Sequence, residues 1–517
     1  MTSDLNTGQA RTFGGWQQER VPFIFGLSGR RAAMLAGAVL VAILPIASAR
    51  IGEAVVFWPV AAVLAAGAFT RFAGRTLDEW VISGASHAIG RVLGQTKFAS
   101  GPFAPPPATD EKAEPPFDLP GILAPLRILS VPAARGRDLA VVHHDYDRTL
   151  TAVARLRCPG IGLADSARRD QRVNGWGALL AGLCTEGSPV IRVQALQRLV
   201  PEDGAALRGW HASHAVPGAP GLASQVSAQL LDTSALVTTQ REAYLAITID
   251  ETKARGQIRA AGGGDAGAAT VLVRQLRSLA QAVSGADLEI TGWLGTRELG
   301  EVIRTAYDPL SQVSLAARRA AAVQAAAAGI RWDGPEPGVR PGAAGPVYAE
   351  ARPGSYLHDG AESVTYWVEQ WPREQAYATV LSPLLGDGSH PRSFGIIFEP
   401  LSPRRAEHAV MRERTARHVA VRMRQRTGQI VPEHERAASA RALGQDAERA
   451  AGHGLVRFTG YVTVTVTDPA RLGEACAAVE ADAAQARIEL RRAWFAQDSA
   501  FAAGALPLGL GLPRRRW

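Results

Sequence analysis

AAMLAGAVLVAILPIAS at positions 32–48 and AVVFWPVAAVLAAGAF at positions 54–69 are two uncharged apolar runs, separated by only five residues. Each lies at the short end of the roughly 17–25 residues with which a helix spans a bilayer. Pro45 and Pro59 fall inside the runs, and transmembrane helices tolerate proline where packed neighbours satisfy the freed carbonyl groups. The runs therefore predict a transmembrane helical hairpin over residues 30–72. A hairpin buried in a globular core is the alternative.

The charges around this hairpin predict its orientation. Basic residues flank it on both sides: Arg30 and Arg31 before it, and Arg71, Arg75 and Arg91 after it. Lysine and arginine stay on the cytoplasmic side of a membrane. We therefore expect a two-span protein of the cell membrane with both termini in the cytoplasm, including a cytoplasmic N-terminal segment at 1–29.

Length and composition allow several classes of protein. A chain of 517 residues has room for two or three domains. The net charge of +8 suits a protein that lies against anionic lipid or meets nucleic acid, although a generally arginine-rich proteome explains it equally well. Cys158, Cys184 and Cys476 are far apart and odd in number, so they indicate neither a disulfide framework nor a metal site.

The rest of the chain divides by composition. We predict an amphipathic juxtamembrane segment at 73–100 with a helix at Leu77–Val92, then a semi-rigid proline-rich linker at 101–121. Strand and helix patterns then alternate through a first α/β lobe at 122–333, a Gly/Pro-rich loop at 334–354, and a second α/β lobe with the C-terminal tail at 355–517. This pattern predicts an α+β (mixed α/β) cytosolic region, with two similar split lobes as one arrangement.

Two short motifs are candidate sites, and for each a structural explanation is favoured over a ligand-binding one. Gly262–Gly267 satisfies GxGxxG, but the polar run 250–259 separates it from the preceding strand, so a flexible loop is favoured over a phosphate site. His143 and His144 are adjacent on a predicted strand and therefore point to opposite faces, which favours a surface hairpin over a metal cluster. The P-loop spacing GxxxxGK[ST] is absent from the sequence. We therefore expect no catalytic, cofactor-binding or metal-binding residue and no enzyme activity.

The predicted helix from Arg404 to Gly428 is the sharpest electrostatic feature, and a further helix is predicted from Glu433 to Ala450. Basic side chains fall within about 100° of one another on the Arg404–Gly428 helix: Arg404, Arg405, His408, Arg412, Arg422 and Arg426. This face is a candidate for contact with lipid headgroups, nucleic acid or an acidic partner. A solvated helix surface without a partner is the alternative.

Several segments together resemble a known family. They are RTFGGW at 11–16, the apolar hairpin, and the segments Arg172–Pro201, Glu301–Pro309, Phe394–Ala406, Gly460–Leu472 and Phe501–Leu512. The set is similar to actinobacterial two-span proteins of conjugation or type IV secretion-like loci. In these, a PrgI-type hairpin is joined to the N-terminal, non-ATPase domain of a conjugative secretion ATPase.

The resemblance implies a non-catalytic inner-membrane scaffold that docks a separate P-loop ATPase, as a homo-oligomer or within a larger secretion complex. Candidate partner contacts are the arginines named above together with Leu506, Pro507 and Leu508 in the tail. The alternatives are an EccE-like membrane component of a type VII secretion system, a membrane-tethered enzyme, and a membrane-tethered protein that binds nucleic acid.

Overall fold

The computed structural model describes most of the chain outside the N-terminal segment. The described ranges are 12–13, 29–48, 54–72, 75–100, 117–132, 138–158, 164–201, 220–235, 239–372, 376–386, 390–426 and 454–511, with single positions between them. The predicted N-terminal segment 1–29 and linker 101–121 fall mostly outside these ranges, as does the predicted helix Glu433–Ala450.

Thirteen of the described strands form one antiparallel sheet, in the order β4-β11-β12-β13-β16-β15-β8-β9-β7-β6-β5, with β10 beside β7 and β17 beside β13. These strands are β4 (Lys97–Ala99), β5 (Leu126–Pro132), β6 (Asp138–His144), β7 (Thr149–Arg157), β8 (Val190–Pro201), β9 (Thr239–Asp250), β10 (Glu289–Trp293), β11 (Tyr348–Ala351), β12 (Tyr356–His358), β13 (Ala361–Gln370), β15 (Arg392–Pro400), β16 (Val456–Val466) and β17 (Glu489–Arg492). Two-residue strands pair apart from it: β1 (Thr12–Phe13) with β14 (Ala376–Tyr377), and β2 (Arg71–Phe72) with β3 (Arg75–Thr76).

The described helices lie before the sheet, between its strands and, in one case, after its last strand. They are α1 (Gly29–Ala47), α2 (Ala54–Phe69), α3 (Leu77–Val92), α4 (Ser166–Leu183), α5 (Gly221–Ala235), α6 (Arg255–Ala260), α7 (Gly264–Gly285), α8 (Thr296–Tyr307), α9 (Ser311–Ala327), α10 (Ser382–Leu385), α11 (Pro403–Arg426), α12 (Leu472–Gln485) and α13 (Gln497–Ala505). The chain is thus a mixed α/β protein built around a large antiparallel sheet.

The sheet contains the same unit twice. Apart from the short elements α6 and β14, repeat 1 (residues 126–307) runs β5-β6-β7-α4-β8-α5-β9-α7-β10-α8, and repeat 2 (residues 348–505) runs β11-β12-β13-α10-β15-α11-β16-α12-β17-α13. Within each repeat the strands β10-β7-β9-β8 and β17-β13-β16-β15 are neighbours in the same order, a βαββαβ arrangement of the ferredoxin-like kind. β8 pairs antiparallel with β15, so the two repeats form one continuous sheet.

The strand register shows that the two repeats also correspond at individual residues. Thr151 opposes Thr248 in repeat 1, and their hydroxyl oxygens are 2.9 Å apart. Ser363 opposes Thr465 at the same place in repeat 2, with a hydroxyl separation of 2.8 Å.

The histidines that end β6 and β12 also correspond. His144 lies opposite Thr149, the first residue of β7, and His358 lies opposite Ala361, the first residue of β13. Left-handed residues, Asp287 and Arg487, each precede the last strand of their repeat by two positions. The correspondence therefore extends beyond the order of the elements to single side chains.

Helices cover both faces of the sheet. α4 and α7 pack on repeat 1 through Leu179, Leu272 and Leu276, and α12 packs on repeat 2 through Val479 and Ala483. A third core joins the repeats on one face, because α8 of repeat 1 and α13 of repeat 2 share it.

The predicted transmembrane hairpin over 30–72 is wrong. α1 and α2 do form and contact each other, and Trp58 Nε1 donates to the Ala42 carbonyl at 3.3 Å. Among the described residues, however, no helix combines the length and the apolar character that crossing a bilayer requires. α2 has 16 residues, which extend about 24 Å, whereas the hydrocarbon core of a bilayer is about 30 Å thick. The same finding contradicts the predicted two-span location in the cell membrane.

Other sequence predictions held or needed adjustment. The helix predicted at Leu77–Val92 is confirmed as α3, which packs on repeat 2: the Trp80 ring lies 5.8 Å from that of Trp494. The stretch 334–354 is not a loop throughout, because β11 lies within it. The alanine-rich helix α9 was not predicted.

Candidate functional site

The basic helix, α11, is the feature on which most sequence-predicted site residues lie. It occupies Pro403–Arg426, close to the predicted Arg404–Gly428, and is about 36 Å long. It carries eight arginines and two glutamates. Ala406 and Val410, each 3% exposed, are its buried apolar contacts, so the body of the protein anchors its first two turns.

The predicted arginines are exposed along the whole helix: Arg404, Arg405, Arg412, Arg422 and Arg426. Arg412 Nε donates to the His408 carbonyl of the same helix at 3.3 Å. Within the described part of the chain, the other four make no hydrogen bond or ion pair. The guanidinium groups are thus available to an external anion.

Helix stability does not explain this placement of charge. Arg404 and Arg405 lie in the first turn, which contains no acidic residue. The N-terminal end of a helix carries partial positive charge and favours anions. Two cations there oppose the helix dipole, which points to a role for these arginines outside the helix itself.

The internal repeat provides a comparison within the chain. α11 lies in the connection between β15 and β16, and α5 lies in the corresponding connection between β8 and β9. The sequence of α5 contains no lysine or arginine. The two repeats therefore share their architecture, whereas the arginine-rich helix belongs to repeat 2 alone.

The tail residues predicted to contact a partner lie inside the protein. Leu506 and Leu508 are at most 2% exposed, in the core that joins the repeats, and Pro507 is buried between them. Gln194 holds the tail, since its Nε2 donates to the Leu506 carbonyl at 2.9 Å and its Oε1 accepts from Gly509 N at 2.9 Å. In this structure the three residues contact the chain's own sheet.

Gly509 gives a test of that attachment. Its φ is +65°, and a Cβ atom would overlap the Thr248 hydroxyl and lie 3.0 Å from Thr151. We expect Gly509→Ala to detach the tail, because a side chain meets both backbone strain and a closed surface. Hydrogen exchange should then accelerate at residues 506–511, while Gly177→Ala, at an open position in α4, leaves it unchanged. Unchanged protection in Gly509→Ala would contradict the described packing.

The histidine hairpin has the predicted geometry but is more enclosed than expected. The side chain of His143 lies between two carboxylates, with Nδ1 2.9 Å from Asp145 and Nε2 2.9 Å from Glu251. A hydrogen bond from Arg127 lowers the pKa of Asp145, and burial lowers the pKa of His144. No set of three or more metal-ligand side chains suited to an ion occurs among the described residues.

The glycine motif forms a turn. Gly262, Gly263 and Gly264 all have positive φ, at +102°, +75° and +58°, and α7 begins at Gly264. The short helix α6 precedes the turn instead of a strand. The strand-to-helix context of a dinucleotide site is therefore absent at this motif.

A buried chain of polar side chains in repeat 2 was not predicted from the sequence. Thr465 and Ser363 are joined through their hydroxyl groups, and Ser363 Oγ lies 2.8 Å from His358 Nε2. The other ring nitrogen, Nδ1, faces the Tyr307 carbonyl, which assigns the proton to Nδ1. Burial lowers the pKa of His358 to about 4. His358 and Ser363 are 0% exposed, so this serine–histidine pair is a structural element closed to substrate.

Comparison with known proteins adds no assignment: neither the protein-family models nor the curated proteins contain a match to this chain.

Proposed function

We propose that this chain is a non-catalytic docking protein that binds nucleic acid through the basic helix α11. The single observation that carries the proposal is the row of exposed arginines on a helix whose first two turns are anchored by Ala406 and Val410. The continuous sheet of repeats 1 and 2 provides the platform that positions the helix.

The chemistry of the helix favours nucleic acid over other polyanions. Arginine presents a planar set of donors that binds phosphate in a bidentate manner. A helix that lies on a lipid surface carries large apolar side chains such as Trp, Phe and Leu opposite its basic face, whereas the sequence of α11 contains none of these three residues. An α-helix fits the major groove of DNA, where basic helices contact both bases and phosphates.

The scaffold function implied by the secretion-family resemblance stays a prediction. Docking of a separate P-loop ATPase through Leu506–Leu508 requires the tail to leave the core, since these residues are buried. The arginines of α11 are the other candidate contact for such a partner. The experiment must therefore distinguish a nucleic acid from an acidic protein.

Duplex DNA binding and its salt dependence test the proposal. Fluorescence anisotropy of a labelled 30-base-pair duplex is measured with the full chain at several salt concentrations. The variant Arg412→Gln/Arg422→Gln/Arg426→Gln should lower the slope of log K against log salt by about 3, because each lost phosphate contact removes about one unit. Its affinity should fall on the order of tenfold or more.

The matched control removes the same charge elsewhere. Arg255→Gln/Arg274→Gln/Arg277→Gln changes three exposed arginines of α6 and α7 and should leave the slope unchanged. Equal losses in both triple variants would show only nonspecific attraction and would refute the assignment to α11. If DNA does not bind, and the arginines of α11 are needed to co-purify a P-loop ATPase, ATPase docking replaces the proposal.

A further inference from the structure

A second basic feature lies at the end of repeat 1 and in the segment that connects it to repeat 2. The start of α8, the helix α9 and the segment 335–343 enclose an open cleft of about 370 Å³. Arg297, Arg318 and Arg340 line it, one from each of these three segments, with Glu336 as the acidic residue of the lining. None of these residues lies on the basic helix α11.

The wall formed by segment 335–343 is fixed against α8. Val339 N donates to the Arg297 carbonyl at 3.0 Å. Gly338 has φ +83°, and a Cβ atom there would lie 2.8 Å from the same carbonyl. Gly300 faces the Val339 carbonyl so closely that a side chain would overlap it. The cleft is therefore preformed, which reduces the ordering cost of binding a ligand.

The positive charge of the cleft comes from side chains. Asp138 already accepts hydrogen bonds at the first turn of α8, from Thr296 N at 3.2 Å and from Thr296 Oγ1 at 2.8 Å. These hydrogen bonds lower the pKa of Asp138, so a carboxylate covers the helix terminus. The arginines are left as the groups that attract an anion.

The two adjacent arginines of α9 have different roles. Arg319 turns toward the sheet and pairs with Glu301, whose side chain is 9% exposed. Arg318 lines the cleft and, within the described residues, makes no hydrogen bond or ion pair. A guanidinium held at a cleft without a carboxylate partner is suited to an external ligand.

Glu336 competes only weakly with an external anion for the arginines of the cleft. It pairs with Arg297, but its side chain is 71% exposed, and exposed ion pairs contribute little stability. Among the residues that line the cleft, arginines outnumber acidic residues by three to one. A ligand with several negative charges can displace Glu336 from Arg297.

We propose that this cleft, formed by Arg297, Arg318 and Arg340, binds a compact polyphosphate: linked phosphates either free or at the end of a nucleotide. Its volume falls within the range of small-ligand sites, and guanidinium groups match phosphate oxygens in geometry and charge. The lining contains no aromatic ring, so recognition rests on the phosphates instead of on base stacking.

Calorimetric titration of the full chain with inorganic triphosphate tests the proposal. We expect saturable binding to one site, weakened about tenfold or more in Arg318→Gln, since a charge-assisted hydrogen bond is lost. Arg277→Gln, an exposed arginine of α7, is the control and should leave the affinity unchanged. Glu336→Gln should tighten binding severalfold, a gain that damage to the fold does not produce.

Further titrations distinguish free polyphosphate from a nucleotide, and binding in the cleft from binding to the basic helix α11. Equal affinity for ATP and triphosphate would indicate phosphate recognition alone, and tighter ATP binding would indicate a nucleotide. No saturable binding, or binding unaffected by both Arg318→Gln and Glu336→Gln, would refute the proposal. If the triple variant of α11 abolishes triphosphate binding and Arg318→Gln does not, the ligand belongs to the basic helix.

Discussion

Phe501→Ala is expected to lower the free energy of unfolding by about 3–5 kcal/mol, the range for truncating a buried phenylalanine. Phe501 is 0% exposed and lies in α13 of repeat 2. Its ring centre is 5.2 Å from that of Tyr307 in α8 of repeat 1, and 5.3 Å and 4.8 Å from those of Tyr356 and His358 in β12. The truncation therefore leaves a cavity in the core that both repeats share.

Urea unfolding of Phe501→Ala measures this loss. Phe69→Ala is the matched control, because Phe69 is 65% exposed, and such surface changes usually stay within about 0.5 kcal/mol. Hydrogen exchange adds a second readout. Protection should fall in both β7 and β13, since the shared core couples the repeats. A loss confined to β13 would show that the repeats unfold independently.

Local patterns predicted individual helices well. The predicted helix Leu77–Val92 has the bounds of α3. The basic helix was also located within two residues at each end. Apolar periodicity, β-branched residues and charge spacing act over a few residues, so they are visible in a sequence.

The apolar hairpin shows how such a pattern misleads. Positions 32–48 and 54–69 contain no charged residue, but both runs are short. Arg30 and Arg31 lie in the first turn of α1, and α2 ends at Phe69, so each uncharged helical stretch is too short. The length of an apolar helix along its axis determines whether it can cross a bilayer, and its apolar composition alone does not.

Two similar lobes were one arrangement that the sequence allowed, but the pairing of strands within and between them was beyond the reach of local patterns. Pairing of β8 with β15 joins residues about 200 positions apart, and strand register depends on such nonlocal contacts. The correspondence of Thr151 and Thr248 with Ser363 and Thr465 appears only once the strands are paired. The same holds for the arginine cleft, because Arg297, Arg318 and Arg340 come from three separate segments.

Acid is expected to destabilise the protein through His358. Burial lowers the pKa of its ring from 6.5 to about 4 in the folded protein, so the unfolded chain binds the proton more tightly. Stability is then fully present above pH 6.5 and decreases as the pH falls toward 4. A depression of this size corresponds to about 3 kcal/mol of lost stability near pH 4.

The variant His358→Gln isolates this contribution. Glutamine does not titrate, so the slope of unfolding free energy against pH between 4 and 6.5 should fall by about one proton relative to the wild type. His144, whose pKa burial also lowers, is present in both proteins and cancels in the comparison. The slope is informative even where the substitution lowers stability at every pH, because it measures the difference in bound protons between the unfolded and folded states.

His408→Gln on the exposed face of α11 is the control for replacing a histidine outside the core. Equal slopes for His358→Gln and the wild type would mean that His358 binds its proton in the folded state as readily as in the unfolded chain. The ring would then have access to water, and the closed chain of Thr465, Ser363 and His358 would have to open in solution.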